Sequence, residues 1–127
     1  MADKIRVLLN EEQVAQTIAK LAEQISQDYK GKEIHLICVL KGGVFFTCEL
    51  AKRIHVPVSI DFMSVSSYGA GMSSSGVVKI VKDLDESITG KEVLIVEDII
   101  DSGRTLSYLM KMLRQRNPAS IKLCTML

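Results

Sequence analysis

The chain has 127 residues, 47% of them hydrophobic and 24% charged, with a formal net charge of +1. That length suffices for one domain with a real core, and the near-neutral balance supplies no global field to draw nucleic acid or an anionic membrane. The opening Met1–Arg6 is polar, and no apolar run approaches the roughly 20 residues of a membrane span, so the expectation is a cytoplasmic protein without signal peptide or anchor.

Asn10 reads as a helix N-cap, with Gln13 placed to complete a capping box and Glu11 and Glu12 in the first turn. Val14, Ile18, Leu21 and Ile25 repeat on one helical face, and Gly31 reads as the stop. Ile34–Leu40 is almost wholly apolar, as a strand buried on both faces should be. Lys41-Gly42-Gly43 breaks it, and Val44–Ile54 reads as a helix against the sheet. Pro57–Val65 reads as a strand with Val58, Ile60 and Phe62 on one side. Ser66–Gly76 turns to Ser, Gly, Ala and Met around Tyr68; it has little to bury and reads as a mobile loop. Val77–Lys82 and Lys91–Glu97 read as strands. Leu106, Leu109, Met110 and Leu113 mark a further helix ended by Asn117-Pro118, and Ile121–Leu127 reads as the last strand.

Cys38, Cys48 and Cys124 lie in apolar runs without metal-ligand spacing and are expected to be buried free thiols. His35 and His55 have no partner at metal spacing and read as structural.

Strands alternating with helices predict a single α/β domain over residues 1–127, a doubly wound, mostly parallel twisted sheet with flanking helices. Such sheets bind ligands beyond the carboxyl ends of their strands. Three stretches fall at such ends: Lys41–Gly43, Ser66–Gly76 and Glu97–Thr105.

The last of these carries the chemistry. In Val93–Thr105 an apolar run ends in Glu97-Asp98, followed by Asp101 and the turn Ser102-Gly103-Arg104-Thr105. Gly103 permits close backbone approach, the N–H groups opening the next helix favour an anion, and two hydroxyls add donors, which together suit a monophosphate. Carboxylates beside a phosphate site require a reason: a metal ion, sugar hydroxyls to hold, or a proton to move. Adjacent strand side chains point to opposite faces, so Glu97 and Asp98 grip one ligand together only if the strand has ended there. Lys41-Gly42-Gly43 reads as a backbone nest for anionic oxygens, with Lys41 either at the nest or turned toward a neighbouring subunit.

Val93–Thr105 resembles the phosphoribosyl diphosphate signature of the type I phosphoribosyltransferases, and the whole chain resembles their hypoxanthine (hypoxanthine-guanine) members. Leu40-Lys41-Gly42-Gly43, Ser67-Tyr68-Gly69 and the spacing from Glu97-Asp98 to Asp101 agree in order. The resemblance implies transfer of phosphoribose from phosphoribosyl diphosphate to a 6-oxopurine base, with Mg2+ as cofactor. By the same resemblance Asp101 is the general base or acid near N7 of the purine, and Ser102, Gly103, Arg104 and Thr105 join it around the 5′-phosphate. Glu97 and Asp98 are implied to hold the ribose hydroxyls and the hydrated magnesium. Leu40, Lys41, Gly42 and Gly43 are implied to form the pyrophosphate loop, with a non-proline cis peptide. Ser67, Tyr68 and Gly69 belong by resemblance to a flexible lid.

Members of that family continue beyond the position of Leu127, with the residues that read the purine, so the expectation is a core whose base-binding hood is incomplete. A homodimer or homotetramer, or a second chain completing the fold, is expected. A non-catalytic nucleotide-sensing module of the same fold and an inactive fragment remain as alternatives; Asp101 favours catalysis, since sensing a phosphate needs no carboxylate there.

Overall fold

The computed structural model describes residues 10–67, 78–97 and 103–126. Its elements are α1 (Glu11–Asp28), β1 (Ile34–Val39), α2 (Val44–Ala51), β2 (Val58–Ser67), β3 (Val78–Lys82), β4 (Glu92–Glu97), α3 (Gly103–Arg114) and β5 (Ser120–Thr125). The capping box at α1 forms as expected: Gln13 N–H donates to Asn10 Oδ1 at 2.8 Å, and Asn10 N–H donates to Gln13 Oε1 at 2.9 Å. After the Tyr29 cap, Gly31 takes φ 79, a left-handed conformation that favours glycine.

The five strands lie in the order β3-β2-β1-β4-β5. β2, β1, β4 and β5 run parallel, and β3 pairs antiparallel at the edge. β1, buried at every position, is the middle strand. One face of the sheet turns Ile34, Leu36, Leu94 and Val96 toward Ile18, Ala22 and Ile25 of α1 and Phe46 and Leu50 of α2. The other turns Ile37, Val39, Met63, Val93 and Ile95 toward Leu106, Leu109 and Leu113 of α3. Helices thus cover both faces, and the sheet is doubly wound as its apolar strands require.

The structure corrects several sequence expectations. α2 stops at Ala51 rather than Ile54, because the chain tightens into three-residue turns: Arg53 N–H donates to Leu50 O at 3.0 Å and Ile54 N–H to Ala51 O at 3.4 Å. β2 runs on to Ser67, because β3 folds back along it with Ser66 opposite Lys79 and Ser67 opposite Val78. Ser66 and Ser67 are therefore strand, not loop. Cys38 and Cys124 are buried, but Cys48 is exposed on the outer side of α2 beside Phe45, which is 84% exposed. Burial alone pushes the Cys124 thiol up to about 11. Among the described residues no helix is long and apolar enough to cross a membrane.

The connection from β3 to β4 is tied down near its start. The Asp61 carboxylate on β2 accepts the Asp85 N–H at 3.0 Å and the Glu86 N–H at 3.1 Å. The Arg116 guanidinium, past the end of α3, donates to both carboxylate oxygens of Asp83, at 2.9 and 3.0 Å.

Candidate active site

β1 and β4 are neighbours, with Cys38 opposite Val96, so their carboxyl ends open side by side. The end of β1 is pinned to β2 by the Leu40 N–H, which donates to Met63 O at 2.8 Å. The Leu40–Lys41 peptide is cis, as the resemblance implies. The chain then turns sharply, Val44 N–H donating to Lys41 O at 3.2 Å, and enters α2 from Gly43. Lys41 and Gly42 are exposed, whereas Gly43 is buried.

A side chain at Gly43 would be tightly placed. A Cβ there would stand 3.3 Å from Val96 O and 3.6 Å from Glu97 Oε1. This close approach brings the Lys41–Gly43 loop and the first carboxylate of Glu97-Asp98 together, although they are far apart in the chain. Glu97 is half-buried at the last position of β4, opposite Thr125 of β5.

α3 begins at Gly103, so Gly103, Arg104 and Thr105 form its first turn rather than a turn preceding it. Leu106, Leu109 and Leu113, all buried, press the helix onto the sheet from that first turn onward. Its opening N–H groups are those left without partners inside the helix.

The helix starts differ in charge. α1 has Glu11 and Glu12 in its first turn and a side-chain cap. α2 has neither an acidic first-turn residue nor a side-chain cap, and α3 has no acidic residue in its first turn. α2 and α3 both start at the carboxyl edge, α2 with the Glu97 carboxylate close to its Gly43 cap and α3 after the stretch of sequence that holds Asp98 and Asp101.

Of the residues expected in the site, the structure brings Leu40, Lys41, Gly42, Gly43 and Glu97 to one edge, with Gly103, Arg104 and Thr105 opening the helix that follows β4. Ser67 ends β2. Tyr68, Gly69, Asp98, Asp101 and Ser102 lie outside the described residues. Among the described residues no group of three or more His, Cys, Asp or Glu is arranged to hold a metal. Sequence reading missed the buried pair His35 and Asp61; the available signal was a lone Asp in the apolar alternation of residues 58–65.

Residues 6–127 match the phosphoribosyl transferase domain model. The chain is 54% identical over 127 residues to a hypoxanthine-guanine phosphoribosyltransferase of Mycobacterium tuberculosis, covering 95% of this chain and 63% of that protein. It is 48% identical to a hypoxanthine phosphoribosyltransferase of Buchnera aphidicola, covering all of this chain and 73% of that one. A crystal structure of a hypoxanthine-guanine phosphoribosyltransferase from Bacillus anthracis superposes with a TM-score of 0.91 at 45% identity, over 95% of this chain and 72% of that one. The chain therefore spans somewhat under two thirds of the mycobacterial relative's length. With the signature, the glycine-lined junction of β1 and β4 and the sheet order all in agreement, the chain belongs to the phosphoribosyl transferase family.

Proposed function

We propose that the full protein transfers the 5-phosphoribosyl group of phosphoribosyl diphosphate to hypoxanthine or guanine, releasing pyrophosphate and forming IMP or GMP in purine salvage. The observation that carries this reading is the meeting of the Gly43 loop with Glu97 at the open end of the sheet. The names of the relatives support the substrate class.

In this reaction the bond from C1′ to the pyrophosphate oxygen breaks and a bond from C1′ to the purine nitrogen forms. Positive charge builds on the ribose while negative charge builds on the leaving group. The first-turn N–H groups of α3, with Ser102, Arg104 and Thr105, hold the 5′-phosphate. Glu97 and Asp98 hold the ribose hydroxyls. The backbone of Leu40–Gly43 accommodates the pyrophosphate, and Asp101 handles the purine proton. Ser67, Tyr68 and Gly69 belong to the cover that keeps water from the reacting sugar.

Glu97, a hard oxygen donor at the edge of the cleft and without two further ligands nearby among the described residues, fits a magnesium ion held largely through water and substrate oxygens. When bound, magnesium neutralises charge on the departing pyrophosphate. The same reading assigns the protein to the cytoplasm, as a homodimer or homotetramer whose purine-reading parts come from beyond these residues or from a second chain.

The test is a spectrophotometric assay of the full-length protein with phosphoribosyl diphosphate, magnesium and either purine. Asp101→Ala is expected to lower turnover at least about a hundredfold while calorimetry still detects diphosphate binding. Turnover unchanged in that variant overturns the role of Asp101. Binding without turnover in the unmodified protein identifies a nucleotide-sensing module instead.

A further inference from the structure

Toward the amino ends of the strands, away from the candidate active site, lies a buried acid–base pair that the proposed chemistry does not use. His35 on β1 is 2% exposed and Asp61 on β2 is 3% exposed. His35 Nδ1 stands 2.7 Å from Ser59 Oγ. Its Nε2 is buried without a hydrogen-bond partner and lies 3.9 Å from Asp61 Oδ2. That same Oδ2 accepts the N–H groups of Asp85 and Glu86, while Oδ1 accepts that of Phe62 at 2.8 Å. Asp61 is thus the post to which the β3–β4 connection is tied.

The setting connects this pair to solvent. A cleft of about 280 Å3, lined by His35, Ser59, Lys91 and Glu92 among others, opens between the strand ends. The charged groups around His35 are Asp61 from β2, Glu86 and Lys91 from the β3–β4 connection, Glu92 from β4 and Glu33 just before β1. Lys91 is itself 3.6 Å from the Glu86 carboxylate, and Lys32 is 3.9 Å from that of Glu92.

The two protonation states of His35 make different demands. With the Ser59 hydroxyl donating to Nδ1, the neutral ring carries its proton on Nε2, aimed at Asp61 from beyond hydrogen-bond range. The cation donates from both nitrogens, and its Nε2–H requires the nearest carboxylate oxygen. We propose that His35 and Asp61 form a proton-operated latch, in which protonation of His35 draws the Asp61 carboxylate to Nε2 and releases the Asp85 and Glu86 amides, loosening the connection that feeds β4.

The electrostatics set where the latch works. Burial, then Lys91, lower the His35 pKa, against the opposing pull of Asp61 and Glu86. Burial pushes Asp61 up, but its three backbone N–H donors and His35 outweigh that and hold it below the usual carboxylate value, so it stays ionised while His35 titrates. The latch is closed at neutral pH and opens as pH falls past the lowered His35 value.

Nuclear magnetic resonance of the full-length protein, titrated from pH about 7.5 to about 5, tests this. The Asp85 and Glu86 amide signals are expected to move with the midpoint of the His35 ring. Their exchange, corrected for intrinsic rates, is expected to accelerate at least about tenfold across that midpoint. In His35→Gln both changes vanish. A ring that stays neutral throughout, amides that do not respond when it titrates, or an equal response in His35→Gln each overturns the latch. If the variant fails to fold, the first two outcomes in the unmodified protein decide alone.

Discussion

Gly43 shows how one missing methyl group shapes the site. Its φ of −83 is open to any residue, so its identity is not a matter of backbone freedom. What crowds a side chain is the Val96 carbonyl, 3.3 Å from the Cβ position, which would have to give by a few tenths of an ångström. Gly31 and Gly90 present the opposite case: both have positive φ, with open space where a Cβ would sit. Gly43→Ala is expected to push the loop off β4 and disturb Glu97, lowering kcat/KM for phosphoribosyl diphosphate about ten- to a hundredfold, measured by steady-state kinetics. Gly31→Ala is expected to leave kcat/KM unchanged and to cost about 1 kcal/mol of stability through left-handed strain, measured by urea denaturation. Local sequence marks both glycines as breaks, but it does not distinguish the two causes. The reason for Gly43 lies on a strand more than fifty residues later in the chain, and only the folded sheet brings it near.

Elements whose signals are local were legible in the same way. α1 appears where Asn10 and Gln13 call for a capping box, and β1 and β4 appear where unbroken apolar runs demand burial on both faces. Elements defined by a partner were not. Ser66 and Ser67 have loop composition, yet they are strand because β3 supplies hydrogen bonds. Cys48 sits in an apolar run, yet it faces out because α2 is anchored through Phe46, Thr47 and Leu50. In the candidate site, the Val93–Thr105 pattern was legible, while the junction of Gly43 with Glu97 was not. α3 is held at both ends, by its leucines and by Arg116. Leu109 is fully buried, and Leu109→Ala is expected to cost about 2–5 kcal/mol in denaturant unfolding. The Asp83–Arg116 pair is bidentate but partly exposed, so a double-mutant cycle is expected to give a coupling of about 0.5–1 kcal/mol that shrinks with added salt.

For the molecule as a whole, the shifted carboxylates and His35 act in one direction as pH falls from neutral. Hydrogen bonds from Arg116, offset in part by burial, hold Asp83 below the usual carboxylate value, and Asp61 is held low as well. Each contributes stability above its unfolded pKa that is lost as pH falls through its folded one. His35 is lowered too, so between its unfolded and folded pKa values the unfolded chain binds more protons and stability again falls with pH. Urea midpoints are therefore expected to decline steadily from neutral pH into acid, and His35→Gln is expected to flatten the upper part of that decline. The start of α2 has a different consequence. Asn10 and Gln13 finish α1 from within the chain, whereas α2 lacks any such built-in finish. An arriving phosphate would act as a detachable piece of secondary structure, present only while the ligand stays. Occupancy would then be written into the melting curve, a hundredfold excess of ligand over its dissociation constant adding about 2.7 kcal/mol, so the unliganded protein would always be its own least stable form.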